Sequence, residues 1–464
     1  MSGQGAAADQ AAQGGALAHR YDTIIIGAGI AGLVAGWLLR DRRILVLESS
    51  DRTGGRVLSA RSGAYWVNLG AHLIDANDGL LAQYADALEV PVCVPRGYLA
   101  AVGMRGRIIR ASGPEVLPFR LPLSFAARVS LVRTGLRLRA AYGTAGRAHH
   151  RALRKSPGIG IMPADERLDE MTYADVLGPM HSDVAALMRV TANRMGAEPS
   201  RLSGDKGVMH TMGTWGSRRA NVVGGTGRLT DAITADLGDR VVTNAVVRRV
   251  TQGDDTVTVE ANIDGRAERL TAATCIVTVP APVAREIVAG LSPEKDAALG
   301  QIDYGPYVVA GIFTTESEPM PWDDVYALAT PDRSFSMAFN PANPLRIGQR
   351  RPGGSLVAYA AGGPAGDLLP QSDAVITERF LKDLYELLPA LRGSIREVIV
   401  QRWTHGVPIA QPGRARLQPH IAAPRGRVFF AGDYMMEPGL DSSAWTSEVA
   451  VNDVRKSLST VGPA

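Results

Sequence analysis

Three glycines in the pattern Gly27-x-Gly29-x-x-Gly32 directly follow a β-rich run, Tyr21-Asp-Thr-Ile-Ile-Ile26. An apolar, Ala-rich segment of helical character, Leu33 to Leu39, comes next, and then a short strand, Ile44 to Leu47, that ends at Glu48. Each glycine answers a different steric demand. Gly27 permits a tight turn, Gly29 lets the backbone approach a pyrophosphate, and Gly32 lets helix and strand pack closely. The helix start, with Ile30 and Ala31, offers unpaired N–H groups and a positive dipole end to phosphates. Glu48, with Ser49 beside it, is placed to accept hydrogen bonds from an adenosine ribose, and an acid there disfavours a 2′-phosphate and so NADP. Strand, turn, helix, strand and acid within about 30 residues is the dinucleotide-binding arrangement.

A second glycine pair follows in Asp51-Arg-Thr-Gly54-Gly55-Arg56. Later come Val222-Val-Gly-Gly-Thr-Gly-Arg-Leu229 at a helix start, the run Val241 to Val250, an alternating strand Thr256 to Glu260, and Cys275-Ile-Val-Thr-Val-Pro280. Near the end stand Arg427-Val-Phe-Phe-Ala-Gly432-Asp433 and Gly439-Leu-Asp-Ser-Ser-Ala-Trp-Thr-Ser447. As an ordered set these segments resemble the FAD-dependent superfamily of flavin amine oxidases, protoporphyrinogen oxidases and phytoene desaturases. The resemblance covers most of residues 20–95, 215–290 and 395–460. It implies that FAD is the cofactor and that Gly54 and Gly55 pass close to the nucleotide. It places Arg56 near the phosphates, the Val247 backbone at the adenine, and Asp433, after Gly432, near the ribityl chain. The N-terminus of the final helix, with Leu440, Asp441, Ser442 and Ser443, would face the N1–C2=O edge of the flavin, where a positive dipole end stabilises negative charge. The turn Leu69-Gly70-Ala71-His72 and Trp403 would lie beside the ring.

The implied architecture is α/β: a doubly wound, Rossmann-like FAD-binding domain with an inserted α+β substrate domain. The FAD-binding domain is discontinuous, from 21–78, 215–290 and 396–461. The substrate domain takes 79–214, largely helical from Ser124 to Leu153 and from Tyr173 to Met195, and 291–395, with strands at Tyr307 to Phe313 and Ser355 to Ala360 and a helix from Ala374 to Leu388. A chain of 464 residues exceeds one ordinary core, so two domains agree with its length.

The side chains available for chemistry narrow the subtype. Amine oxidases of the superfamily with covalent flavin carry a cysteine shortly after a Trp in the last block; the stretch from Arg402-Trp403-Thr-His405-Gly-Val-Pro408 to Gly413 has none, so the resemblance implies non-covalent FAD. Amine oxidases of the superfamily need rings near Gly413 and Gly439–Leu440 and a lysine near Val309; this chain has none of them. Amino-acid oxidases place an arginine where Leu73 stands. Protoporphyrinogen oxidases and desaturases, which share a Trp-x4-Pro pattern like Trp403 to Pro408, are the closer likeness. The expected reaction is therefore a two-electron dehydrogenation of a C–C or C–N bond in a small organic substrate. A redox-neutral double-bond isomerase and an FAD-binding protein without catalysis are the alternatives. His72 is the first acid/base candidate, because an imidazole titrates near neutral pH; the other reading is that it only hydrogen-bonds flavin or backbone. His405 is the second candidate, or else a structural histidine in a turn. Trp445 either narrows the pocket or packs in the core. Asp441 is expected to cap the last helix.

Composition sets the remaining bounds. Hydrophobic residues make up 45% and charged residues 21%, as in a soluble globular protein, and the net charge of +4 is small for the length. The two cysteines, Cys93 and Cys275, give neither a disulfide framework nor a metal-site spacing, so no metal is expected and a reducing cytoplasm fits. Residues 1–20 read as a flexible leader rather than a signal peptide. The abundance of Ala, Gly and Arg hints at a GC-rich bacterial genome and secondary metabolism.

Charge is nevertheless uneven. Val116 to Ala164 contains no Asp or Glu but carries Arg120, Arg128, Arg133, Arg137, Arg139, Arg147, Arg151, Arg154 and Lys155, with His149 and His150. Leu and Val fall between the arginines in a basic amphipathic pattern. Three readings fit: a solvated face with acids elsewhere, attraction of an anionic substrate or acidic carrier protein, or attachment to a membrane surface. Nucleic acid is not expected, since no recognition module is present. The oligomeric state is not legible.

Overall fold

The computed structural model describes residues 21–76, 79–155, 162–213, 219–346 and 350–460. The expected leader lies outside these residues, as does 156–161 of the basic stretch. The nucleotide-binding half starts with β1 (Tyr21–Ile26), α1 (Ile30–Leu38) and β2 (Ile44–Leu47). β1 pairs in parallel with β2 on one side and with Arg266–Val277 on the other, Ile25 lying against Val46 and Ile276. Val241–Val242 extends the sheet beyond β2, and Val428–Phe430 adds a parallel strand beside Cys275–Val277. Ala245–Gln252 and Val257–Ile263 complete it as an antiparallel meander.

Helices cover both faces of this sheet, which is why its central strands are continuous apolar runs instead of alternating ones. Ile25, Val46 and Ile276 pack with α1, the helix Gly227–Leu237 and the final helix Leu440–Thr460. Ile24, Leu45, Leu47 and Val277 pack on the opposite face with Ala281–Ile287, Pro293–Gly300 and Arg414–Ala422. The fold is thus doubly wound.

A second, mixed sheet has seven strands in the order Ile395–Pro408, Tyr304–Thr314, Gly354–Ala361, Met337–Phe339, Val325–Ala329, Tyr98–Met104, Arg107–Arg110. One face packs on the helix Asp373–Leu387 through Ile376, Phe380 and Leu384. A helical layer drawn from 117–213 stands beside it, led by the long helix Phe125–Lys155. That helix buries Ala127, Leu131, Thr134 and Leu138, one stripe at helical spacing.

Two expectations need correction. Ile395–Pro408, assigned to the FAD-binding domain, runs antiparallel to Tyr304–Thr314 in the second sheet. Its 14 residues pair along the whole 11-residue neighbour, and the chain rejoins the first sheet only at Val428–Phe430. The helical region Tyr173 to Met195 is divided into Tyr173–Leu177 and Ser182–Asn193. Gly178, at φ +67°, and Pro179 separate them.

Candidate functional site

The glycine cradle is built by steric necessity. Gly27 has φ +96°, a conformation that penalises any side chain. A Cβ on Gly32 would collide with the Gly27 carbonyl, so the first turn of α1 lies directly on the turn before it. Gly29 differs: a Cβ there would meet nothing, because it faces open cavity. Gly29 also begins α1 without a side-chain cap, leaving the first-turn N–H groups to the cavity that Ile30 and Ala31 line. The second glycine pair is threaded against this turn. The Gly54 N–H donates to the Ala28 carbonyl at 2.8 Å, and Gly54 and Gly55 take φ +93° and +54°.

Glu48 ends β2 with its carboxylate already oriented. It accepts from the Ala28 N–H at 2.7 Å, the Ser50 N–H at 3.0 Å and the Ser50 hydroxyl at 2.8 Å. The Ser49 hydroxyl adds a 3.3 Å contact to the same Oε1 that Ser50 uses, so Oε2, which accepts only the Ala28 N–H, keeps a site for a ligand hydroxyl. Val247 lies at a register shift in the meander and lines the same end of the cavity. The cavity of about 1110 Å³ runs from here past the cradle to the second sheet. That exceeds the roughly 300–1,000 Å³ usual for one small ligand, and suits two occupants.

The other end is made of side chains. Arg56 and Asp433 form a bidentate ion pair, 2.8 and 2.9 Å, and Arg56 also donates to the Gly406 carbonyl. Two residues expected to reach the cofactor separately are therefore tied to each other. The Trp403 Nε1–H donates to the Leu69 carbonyl at 2.7 Å, which fixes the indole at the wall. The Tyr359 hydroxyl lies 2.6 Å from the Asn68 carbonyl and 3.0 Å from that of Gly70. His72 Nδ1 is 3.2 Å from the same hydroxyl, and its ring packs against Phe339 and Tyr359.

His72 Nε2 is buried with no hydrogen-bond partner. Burial pushes its pKa down to about 4, and nearby Arg194 adds to this against a hydrogen bond to Gly70. The imidazole is thus neutral at physiological pH. His405 lies at the strand irregularity opposite Gly305–Tyr307, exposed, with its ring edge-on to Tyr304 at 5.3 Å.

Most of the expected cofactor residues line this one cavity: Gly27, Gly29, Ile30, Ala31, Glu48, Ser49, Gly54, Gly55, Arg56, Gly70, Ala71, His72, Val247, Trp403, Gly432, Asp433, Leu440 and Ser443, together with His405. Gly32, Leu69, Asp441 and Ser442 do not. Gly32 acts through the turn and Leu69 through its carbonyl. Asp441 caps another element than expected: it accepts from the N–H groups of Asp75 and Leu81, and so serves the helix Leu80–Ala87. Trp445 is not at the cavity either. Arg52, Arg194, His210, Tyr307, Phe339 and Tyr359 line the cavity without any local motif to reveal them.

An uncapped helix start, a glycine facing open space and an oriented acid at a strand end together suit a dinucleotide cofactor. A second sheet brings Tyr307, Phe339, Tyr359 and Trp403 to the same cavity, so the architecture is that of a two-part protein suited to a cofactor. The chain belongs to the flavin containing amine oxidoreductase family, which it matches over residues 30–447. Family membership implies a flavin.

Among curated relatives, AofH of Mycobacterium tuberculosis, named as a flavin-containing monoamine oxidase, is 27% identical over 301 residues. That match covers 59% of this chain, which spans 60% of the length of this relative. Coproporphyrinogen III oxidase of Mycobacterium bovis is 25% identical over 463 residues, 94% of this chain and 97% of that one. Among solved structures, cyclohexylamine oxidase from Brevibacterium oxydans aligns with a TM-score of 0.76 at 19% identity, covering 95% of this chain and all of that one. This structural likeness is one of fold. No helix among the described residues is long and apolar enough to cross a membrane.

Proposed function

We propose that the chain is an FAD-dependent oxidase or dehydrogenase that holds FAD non-covalently and removes two electrons from a C–C or C–N bond of a small organic substrate. The observation that carries this reading is the continuity of the cavity from Glu48 and the glycine cradle to the aromatic wall of Tyr307, Tyr359 and Trp403. When bound, FAD supplies the electron acceptor for the substrate's hydride. The residues of the chain position and seal. Trp403 is locked by the Leu69 carbonyl, Tyr359 by Asn68 and Gly70, and the final helix presents its N-terminus through Gly439 and Leu440. Neutral His72 is better suited to hold the ring-side wall than to shuttle a proton. Non-covalent binding is supported by the cysteines: Cys275 is buried within the first sheet, and neither it nor Cys93 lines the cavity.

Amine substrates fit this wall poorly. Gly413 is away from the cavity, Leu440 is not aromatic, and Val309 is a core residue. The test is an anaerobic screen of candidate substrates read at the flavin absorbance band. Lasting bleaching supports oxidation; a product of unchanged mass without net reduction selects isomerisation instead. Purified protein devoid of flavin overturns the reading.

A second, separate reading concerns the partner of the basic helix, for which an anionic lipid surface is proposed. Among the described residues none of Arg120, Arg128, Arg133, Arg137, Arg139, Arg147 or Arg151 pairs with a carboxylate, whereas His149 meets Asp205. Phe119 and Phe125 protrude beside them, 77% and 84% exposed, and Leu136 is 64% exposed. Protruding apolar side chains among unpaired arginines are what a membrane interface accommodates.

A further inference from the structure

Arg194 is a half-buried cation facing the cavity, and among the described residues no acid meets it. It follows the helix Ser182–Asn193 and lines the cavity wall. Among the described residues its side chain makes neither an ion pair nor a hydrogen bond, and its electrostatic neighbours are Tyr307, Arg219 and Tyr326. Burial works against its charge, yet a guanidinium stays protonated in proteins.

The acids of the cavity are committed elsewhere. Glu48 holds backbone N–H groups, Asp433 holds Arg56, and Glu437 holds Lys206 at 2.5 Å. Glu286 is exposed on the helix Ala281–Ile287, at the nucleotide side. Arg219, the neighbouring cation, has Asp75.

The position of Arg194 is built, not incidental. The Tyr307 hydroxyl donates to the Arg194 carbonyl at 2.5 Å. The next turn is wedged onto the second sheet: a Cβ on Gly305 would strike the Gly196 backbone, and one on Gly196 would strike Val407. Gly196 has φ +77°, so glycine is required there on conformational grounds as well. A charge partly withdrawn from water without a counter-charge is unfavourable until something pairs with it. Such a charge, carried on a fixed backbone at a cavity wall, is open to a ligand.

We propose that Arg194 anchors a carboxylate on the substrate, at the cavity end walled by Tyr307, Tyr359, Trp403 and Phe339. The inference rests on the reading of this cavity as a substrate site, and names the substrate class: an apolar or aromatic monocarboxylate. It also explains why a cationic amine is disfavoured, since its charge would meet Arg194 with no acid free to receive it.

The test uses purified protein and three probes of similar shape: benzoate, benzamide and benzylamine, titrated by calorimetry. Benzoate is expected to bind roughly 10- to 100-fold more tightly than benzamide, the range of one charge-assisted contact, with benzylamine weakest. Arg194→Gln is expected to bring benzoate down to the benzamide level at unchanged flavin content. Arg194→Lys, which keeps charge and loses the planar fork, is expected to fall between; it decides the matter if the Gln variant does not fold. Equal benzoate affinity in wild type and variants, or no preference over benzamide, overturns the proposal. Absence of flavin from the protein would sink the oxidoreductase reading alone, because benzoate titration of the flavin-free protein still decides the role of Arg194.

Discussion

The nucleotide cradle and the helical layer treat charge in opposite ways. In the cradle the charged groups that shape it have partners within the protein: Glu48 its backbone amides, Arg52 the Thr53 and Gly55 carbonyls, Arg56 its Asp433. What is left for the ligand is backbone, the N–H groups at the start of α1 and the open space at Gly29. In the helical layer the backbone is closed and side-chain cations are left over, Arg194 inward and the arginines of Phe125–Lys155 outward. A site made of backbone depends on the absence of side chains, whereas a site made of side chains depends on their being uncompensated. The two should fail differently when altered.

The largest effect is expected in the cradle. Gly32→Val places atoms where the Gly27 carbonyl already lies, so no folded, flavin-carrying protein should be recovered. Gly29→Ala is the contrasting case. Its φ of −68° suits any residue and nothing surrounds the added methyl. The apoprotein should keep its melting temperature and lose flavin, because the methyl occupies ligand space. A Gly29→Ala protein that retains flavin at wild-type occupancy would break the distinction. Next comes Arg56→Ala, which leaves Asp433 without its partner. Removing one member of a fully buried pair costs about 3–5 kcal/mol; Arg56 is partly open to water, so about 2 kcal/mol is expected in urea unfolding. A loss under about 1 kcal/mol would mean that the pair is a surface one in effect.

The same contrast decides what could be read from the sequence. The cradle was legible because its requirements are local: Gly27 needs a positive φ, Gly32 needs no Cβ, and the acid must end the next strand, all between Tyr21 and Glu48. The aromatic wall was not. Tyr307 meets Trp403 and Ala361 across strands that pair over long sequence separations, which brings Tyr359 to the same region. Arg194 is one of 50 Lys and Arg residues, and its place is fixed by contacts distant in sequence, the Tyr307 hydroxyl on its carbonyl and Gly196 against Gly305. Asp441 was misplaced for a related reason. An acid at a helix start is normally that helix's own cap, but the amides it reaches lie more than 350 positions earlier, at Asp75 and Leu81.

His72 lies between the two regions and gives a pH-dependent prediction. Its folded-state pKa, about 4 through burial, is below the 6.5 of an unperturbed imidazole. Between these values the unfolded chain binds the extra proton, so stability from this residue is full above pH 6.5 and is lost as pH falls towards 4. One such proton is worth up to about 1.4 kcal/mol per pH unit. His210, held at about 3 by burial with Arg194 and Arg219 nearby, contributes a slope of its own. His72→Gln should therefore lessen, without abolishing, the fall in urea midpoint between pH 7 and pH 5. An unchanged fall would show that His72 is not buried neutral in solution.

The smallest effect is expected on the outer face, where the comparison is most easily broken. Arg133 is exposed and makes no side-chain hydrogen bond or ion pair among the described residues. Arg133→Gln should leave the melting temperature unchanged, since nothing in the fold uses the charge. It should weaken flotation with phosphatidylserine-containing vesicles by about 1 kcal/mol, the contribution of one arginine at an anionic surface, and added salt should weaken it further. Phe125→Ser should weaken the same binding without the added salt dependence, because it removes apolar insertion instead of charge. Wild-type protein that fails to float with such vesicles would return these arginines to an ordinary solvated face. Arg194, by contrast, would keep its place at the cavity wall, open for a ligand.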